Sequence, residues 1–175
     1  MTQLRGLPPI IDAQARILIL GSFPSPASLA AQQYYGHKQN QFWRILAEVL
    51  DQPLVEMDYA ARQVAVKAAG LAIWDVYGAC EREGSLDAAI RAGIPNDFAA
   101  LRKSAMAVRR VCFNGQAAGR FAQQLAALGY ETIILPSTSP ANAGWSFERK
   151  LVAWREALDG CLRQAAARPR RVTRR

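Results

Sequence analysis

Apolar residues occur along this chain in two alternating patterns: short unbroken runs, and longer stretches in which they return every three or four positions. Arg16-Ile-Leu-Ile-Leu20, ended by Gly21, is a run of the first kind and predicts a buried strand opening into a loop. Leu71-Ala-Ile-Trp-Asp-Val76, Val108 to Phe113 and Glu131-Thr-Ile-Ile-Leu135 read as three further strands. Between them, Phe42, Ile45, Leu46, Val49 and Leu50 form one face of a helix entered at Gln41. Asp58 is placed to cap a helix reaching Ala69 and closed by Gly70, and Asn96 to cap one over Asp97 to Lys103. Gln116 to Leu128 predicts a helix stopped by Gly129, and Ser146 precedes a last helix carrying Phe147, Leu151, Trp154 and Leu158 on one side. Strand and helix in alternation predict a three-layer α/β/α sandwich around a central four-stranded, mostly parallel sheet. Function is then expected on the loops beyond the carboxyl ends of the strands.

Composition narrows this further. At 175 residues and 51% apolar content the chain suits a single core, expected over 1–162, with a basic and disordered tail over 163–175. That tail holds six of the arginines and no acid, so the net charge of +8 falls to +2 without it. It can raise affinity for phosphate backbones by counterion release, or serve only as a solubilising end. No apolar run approaches the roughly 20 residues of a membrane span. The opening Met1-Thr-Gln-Leu-Arg-Gly-Leu-Pro-Pro lacks a signal-peptide pattern, so a cytoplasmic protein with no membrane partner is expected. Cys80, Cys112 and Cys161 are spaced too widely for a disulfide framework or a Cys-x-x-Cys knuckle, and read as reduced thiols. Neither a metal nor a cofactor is expected.

Three segments hold the candidate chemistry. Gly21-Ser-Phe-Pro-Ser25 makes a tight, proline-stiffened loop at the end of the first strand, but it is no dinucleotide or Walker fingerprint. Tyr34-Tyr-Gly-His-Lys-Gln-Asn-Gln-Phe-Trp43 gathers aromatics, the only histidine and an amide. Its tyrosines can stack on a base, its His37 and Lys38 can meet phosphate or leaving-group charge, and the Asn40 carbonyl can hold a water. Phe42 and Trp43 begin the apolar helix face, His37 can equally be structural, and Asn40 can cap the helix that follows. Pro136-Ser-Thr-Ser-Pro-Ala-Asn142 offers three hydroxyls between two prolines, suited to phosphate contacts or to a simple turn.

Together these segments resemble the uracil-DNA glycosylase superfamily. Gly21-Ser-Phe-Pro-Ser25 is similar to its first motif, Gly36-His-Lys-Gln-Asn-Gln-Phe-Trp43 to the His-Pro-x-Asn-x-Phe-Trp run of its mismatch-specific branch, and Pro136 to Asn142 to its second motif. Adding Trp74-Asp-Val76, Gly84-Ser-Leu-Asp87 and Phe113-Asn-Gly115 gives the order shown by the hypoxanthine-DNA (DNA-deoxyinosine) glycosylase branch, over about Arg16 to Leu158. Phe23 stands where many relatives keep a water-activating Asp or Asn.

The resemblance implies a monofunctional DNA glycosylase of base-excision repair, cleaving the glycosidic bond of hypoxanthine in double- or single-stranded DNA as a monomer. Asn40 would position the water, and His37 would stabilise the leaving base. Gly21, Ser22, Phe23, Tyr35, Asp75 and Asn114 would line the base pocket, with Tyr35 stacking and Asp75 accepting the N1–H that adenine lacks. Pro24, Ser25, Ser137, Thr138, Ser139, Pro140, Ala141 and Asn142 would meet DNA, Ala141 near the minor-groove wedge. Uracil or G:T/U mismatch excision, a silent DNA-binding module and a small-molecule nucleotide-binding protein are the competing expectations. The last would ordinarily carry a glycine-rich phosphate loop.

Overall fold

A computed structural model describes residues 2–166. Strand β2 (Ile17–Gly21) lies in the middle of a four-stranded sheet, flanked by β3 (Leu71–Asp75) on one side and β6 (Arg110–Asn114) on the other, with β7 (Glu131–Leu135) outside β6. All three pairings are parallel, and their registers bring Gly21 level with Asp75, and Asn114 level with Leu135, at one edge. Every residue of β2 is buried, because both faces of the sheet are covered. Ile17 and Ile19 point into a core shared with α2 (Phe42–Leu50), α3 (Tyr59–Ala68) and α7 (Phe147–Ala166). Leu18 and Leu20 point into a second core against α4 (Phe98–Ser104), α5 (Gln116–Gly119) and α6 (Ala122–Ala127). Burying each such side chain is worth about 1.5–3 kcal/mol, and this two-sided burial explains the unbroken apolar run. The three-layer sandwich expected from the sequence is present, and its central sheet is wholly parallel.

The structure departs from expectation in four places. The helix expected over Gln116 to Leu128 is split into α5 and α6. Gly119 lies flat against Ile134, with no room for a Cβ, and the turn after it brings Phe121 edge-on to Tyr77 at 5.4 Å. Asp97, not Asn96, caps α4, accepting from Ala100 N at 2.9 Å, while the Asn96 amide donates to the Asp75 carbonyl at 2.8 Å. A short helix, α1 (Pro26–Ala31), follows the first loop, capped by Ser25. A second, antiparallel sheet joins β4 (Tyr77–Glu81) to β1 (Leu4–Arg5) and β5 (Arg91–Pro95). Helix α7 continues through Ala166, and the arginine-rich positions 167–175 lie outside the described residues.

Candidate active site

The loops after β2, β3, β6 and β7 converge on one cleft of about 920 Å³. At its inner end, backbone and carboxylate meet at Gly21. A Cβ there would stand 2.5 Å from Asp75 Oδ1 and 3.0 Å from the Tyr35 hydroxyl, so only glycine lets the strand end pass so close. Asp75 is 4% exposed, and its Oδ2 has no hydrogen-bond partner. Burial, and after it the charge of Asp87, push its carboxyl up to about 7, against the opposing pull of Arg82. Asp87 belongs to the loop joining β4 to β5 and accepts from Ser22 Oγ at 2.5 Å, which ties that loop to the first motif. Phe23 is buried beneath the Arg82 guanidinium, which donates to the Pro24 carbonyl at 2.6 Å and so clamps the first loop from below.

The aromatic segment divides its work between adjacent tyrosines. Tyr34 is an anchor: its hydroxyl lies 3.0 and 2.9 Å from the carbonyls of Leu7 and Pro8, its N–H donates to the Tyr59 hydroxyl at 3.1 Å, and its carbonyl accepts from Trp43 Nε1 at 2.8 Å. Tyr35 lines the cleft, its ring backed by Phe42 at 3.9 Å in a stacked arrangement. Its φ of 55° is in the left-handed region, a conformation that costs a non-glycine residue about 1 kcal/mol and is held here by the anchored neighbour. The Tyr35 hydroxyl is buried outside hydrogen-bond geometry with any described group, and burial, then the nearby Asp75 carboxyl, push its ionisation well above the usual phenol range against a smaller opposing pull from the Asn114 side chain. His37 is exposed on the rim, with Nδ1 accepting from Gln39 N at 3.1 Å, so in the neutral ring the proton sits on Nε2.

Asn40 takes up the helix-bracing role that the sequence left open. Its Oδ1 accepts from Phe42 N at 2.9 Å, which braces the entry of α2, and from the Thr138 hydroxyl at 2.8 Å. The carbonyl expected to hold water is thus occupied by two protein donors, and the backbone donor fixes the orientation of the amide. The Nδ2 amide is the end left for a ligand. Asn114 is committed as well, with Nδ2 donating to Thr138 Oγ1 and Oδ1 accepting from Thr138 N, both at 2.9 Å. Thr138 is therefore not among the phosphate-facing residues of its loop. It is fully buried and passes a hydrogen-bond chain from Asn114 to Asn40, joining β6, the second motif and α2.

The remainder of the second motif is braced from within. Ser137 Oγ accepts from Ser139 N, Ser139 Oγ accepts from Ala141 N, both at 3.2 Å, and Asn142 Nδ2 donates to the Ser137 carbonyl at 3.1 Å. Pro140 and Ala141 stand exposed at the rim. Ser25 lines the cleft, but its hydroxyl is engaged with Ser28 in capping α1. Each residue expected in the pocket or on DNA borders this single cleft. Sequence reasoning overlooked Asp87 and Arg82, although Asp87 ends the Gly-Ser-Leu-Asp segment. It also overlooked Lys150, buried behind the site, which donates to Gln41 Oε1 at 3.0 Å and pins α7 to the start of α2. Among the described residues no group of His, Cys, Asp or Glu is placed to hold a metal, and no helix is long and apolar enough to cross a membrane.

Residues 8–158 match the profile of the Uracil DNA glycosylase superfamily. A protein named hypoxanthine DNA glycosylase from Methanosarcina acetivorans is 41% identical over 83% of this chain and 92% of its own length. One of the same name from Methanosarcina barkeri is 40% identical over 88% and 97%. The solution NMR structure of a candidate uracil DNA glycosylase from Methanosarcina acetivorans superposes with a TM-score of 0.83 at 38% identity, covering 91% of this chain and 99% of the other. The profile match over most of the chain, the identities and the shared fold agree, and the chain belongs to the uracil DNA glycosylase superfamily.

Proposed function

We propose that this protein is a monofunctional DNA glycosylase that hydrolyses the bond between deoxyribose and hypoxanthine in DNA. One observation carries the reading: two buried polar groups without partners, Asp75 Oδ2 and the Tyr35 hydroxyl, border one cleft together with the amide of Asn40. Orphaned buried polar atoms are costly, and the edge of a base entering the cleft would satisfy these two. The names of the two curated relatives supply the base.

A nucleotide extruded from the stack enters the cleft at a cost of roughly a few kcal/mol, lowest for a weakly paired base. Its ring lies against Tyr35, whose other face is already supported by Phe42. An ionised Asp75 accepts N1–H of hypoxanthine, whereas adenine offers a lone pair at that position and is repelled. As the C1′–N9 bond breaks, its electron pair leaves with the purine and C1′ gains oxocarbenium character. Water then adds to C1′, and its proton passes to the departing base or to solvent. A cationic carbon needs a well-placed water more than a strong base, so the fixed Asn40 amide suffices, holding the water by its N–H. The Nε2–H of His37 and the N–H groups of the first loop stabilise the leaving anion. Phosphates flanking the nucleotide meet the rim at Ser137, Ser139 and Pro140. The enzyme works as a cytoplasmic monomer without a cofactor.

The test is an incubation with labelled duplexes carrying inosine, uracil or mismatched thymine, scored for alkali-labile sites. We expect cleavage at inosine, with a loss of about 10²-fold or more in Asn40→Ala. Cleavage at uracil or thymine alone would refute the base assignment, and full activity in Asn40→Ala would refute the role given to that residue.

A further inference from the structure

The peptide groups of the first loop are fixed from one side. Val76 N donates to the Gly21 carbonyl at 2.8 Å, Tyr77 N to the Ser22 carbonyl at 3.2 Å, and the Arg82 guanidinium to the Pro24 carbonyl at 2.6 Å. All three peptides are trans, so each carbonyl drawn toward the β3–β4 segment turns the N–H of the next residue to the opposite side. Ser22, Phe23 and Ser25 thereby present their N–H groups away from β4, on a loop that lines the cleft. Backbone donors gathered in this way favour an anion. Two of the three anchors are main-chain groups where β3 passes into β4; the third is a side chain, and a charged one.

Arg82, the residue after β4, is 7% exposed, and its Nε has no hydrogen-bond partner among the described residues. A buried cation with a donor unmet costs stability, so packing alone does not account for it. Phe23, itself buried, offers it the face of a ring at 5.4 Å instead of a polar group. Phe23 is thus the floor on which the guanidinium lies, and the Pro24 carbonyl is what it holds. The charge around it matters as well. Asp75 feels Asp87 and Arg82 from the segment following β4, and bears in turn on the phenols of Tyr34, Tyr35 and Tyr59. A purine that leaves with its bonding electrons would meet two carboxyls here, and among these groups Arg82 is the cation.

We propose that Arg82 is a positioning residue for departure of the base: lying on Phe23, it holds the Pro24–Ser25 peptide so that the N–H groups of the first loop point at the leaving purine, and its charge offsets the Asp75 and Asp87 carboxyls. This rests on the glycosylase reading above and deepens it. Arg82 does not line the cleft, so it acts through the loop and through its field.

The test compares wild type with Arg82→Lys, which keeps the charge and a donor, and Arg82→Met, which keeps neither. Single-turnover cleavage of an inosine duplex should fall about 30-fold in Arg82→Met and less than about five-fold in Arg82→Lys. Affinity for a duplex carrying cleavage-resistant 2′-fluoro-deoxyinosine, read by fluorescence anisotropy, should stay within about two-fold in both. A loss of affinity matching the loss of rate, or no rescue by lysine, would overturn the assignment. A second readout is one that loosened packing alone would not move. Arg82 pulls the Asp75 carboxyl down, so the midpoint of the Asp75 carboxyl carbon signal, followed by NMR against pH, should rise in Arg82→Met and stay near wild type in Arg82→Lys. An unmoved or lowered midpoint in Arg82→Met would overturn the proposal. Wild type supplies a third, whether or not either variant folds: titration with free hypoxanthine should shift the amide signals of Ser22, Phe23 and Ser25, and unshifted signals would overturn it. Wild type that cuts no inosine duplex would reject the glycosylase reading, while the carboxyl titration would still decide whether Arg82 governs the charge of the cleft.

Discussion

In the proposed reaction the one carboxyl of Asp75 would meet the same base edge in two chemical forms. Ionised, it is acceptor only and favours N1–H of hypoxanthine. Neutral, it carries one donor and one acceptor, and pairs equally with the N1 and N6–H₂ edge of adenine. With its folded value at about 7, raised first by burial and then by Asp87, the neutral fraction grows as pH falls through that point. Selectivity is therefore expected on the alkaline side and its loss on the acid side. Inhibition by free adenine should strengthen about ten-fold from pH 8 to pH 6, the change in neutral fraction for a group titrating at 7, while inhibition by hypoxanthine changes far less. Asp87→Asn removes the like charge, lowers the value for Asp75 and should move the transition to lower pH. A selectivity flat across this range in wild type would show that Asp75 does not face the base edge. Burial and strain could not be read from residue type here. Nothing in Trp74-Asp-Val76 announces a carboxylate stripped of water, and nothing in the Tyr-Tyr pair tells which ring is the anchor and which takes the left-handed backbone.

At the scale of elements, the site depends on three pieces meeting through Thr138, and the chain from Asn114 to Asn40 spans sequence separations of 24 and 98 residues. Thr138→Val keeps the shape but leaves the Asn114 amide and one lone pair of Asn40 unpaired, at a cost of about 1–3 kcal/mol. Its expected kinetic signature is a fall in kcat of about ten-fold with KM little changed, because water placement through Asn40 is disturbed while Tyr35 and Asp75, the proposed holders of the base, keep their contacts. A proportional rise in KM would place Thr138 in substrate binding instead. The strands of the parallel sheet were legible because burial on both faces writes itself as unbroken apolar runs. The second sheet was not: every residue of β5 is exposed, and with Gly93 and Pro95 it carries no alternation to read. Asp87 was hidden with it, since its partner Ser22 lies 65 residues away and only the folded loop brings them together.

For the molecule as a whole, the order of motifs in the sequence announced the cleft, because parallel strands deliver their following loops to one edge. What the order cannot convey is support from behind, and here the first ten residues supply it. Leu4 and Arg5 pair with β4, Gly6 N donates to the Gly78 carbonyl at 2.8 Å, and Ile10 exchanges hydrogen bonds with Ile73 at 2.9 Å in each direction. The carbonyls of Leu7 and Pro8 receive the Tyr34 hydroxyl. The amino-terminal stretch is thus a belt tying β4 and β3 to the Tyr34 hydroxyl, and through Tyr34 it sets the posture of the adjacent Tyr35 ring. Trimming residues 2–8 should leave the parallel sheet assembled, by circular dichroism, while slowing turnover on inosine by about ten-fold. If the trimmed protein is as fast as the full chain, Tyr34 keeps its neighbour in place unaided. Anyone fusing a partner to this protein would do well to spare that end, since a bulky graft there would loosen the buckle while every residue of the reaction chamber stayed intact.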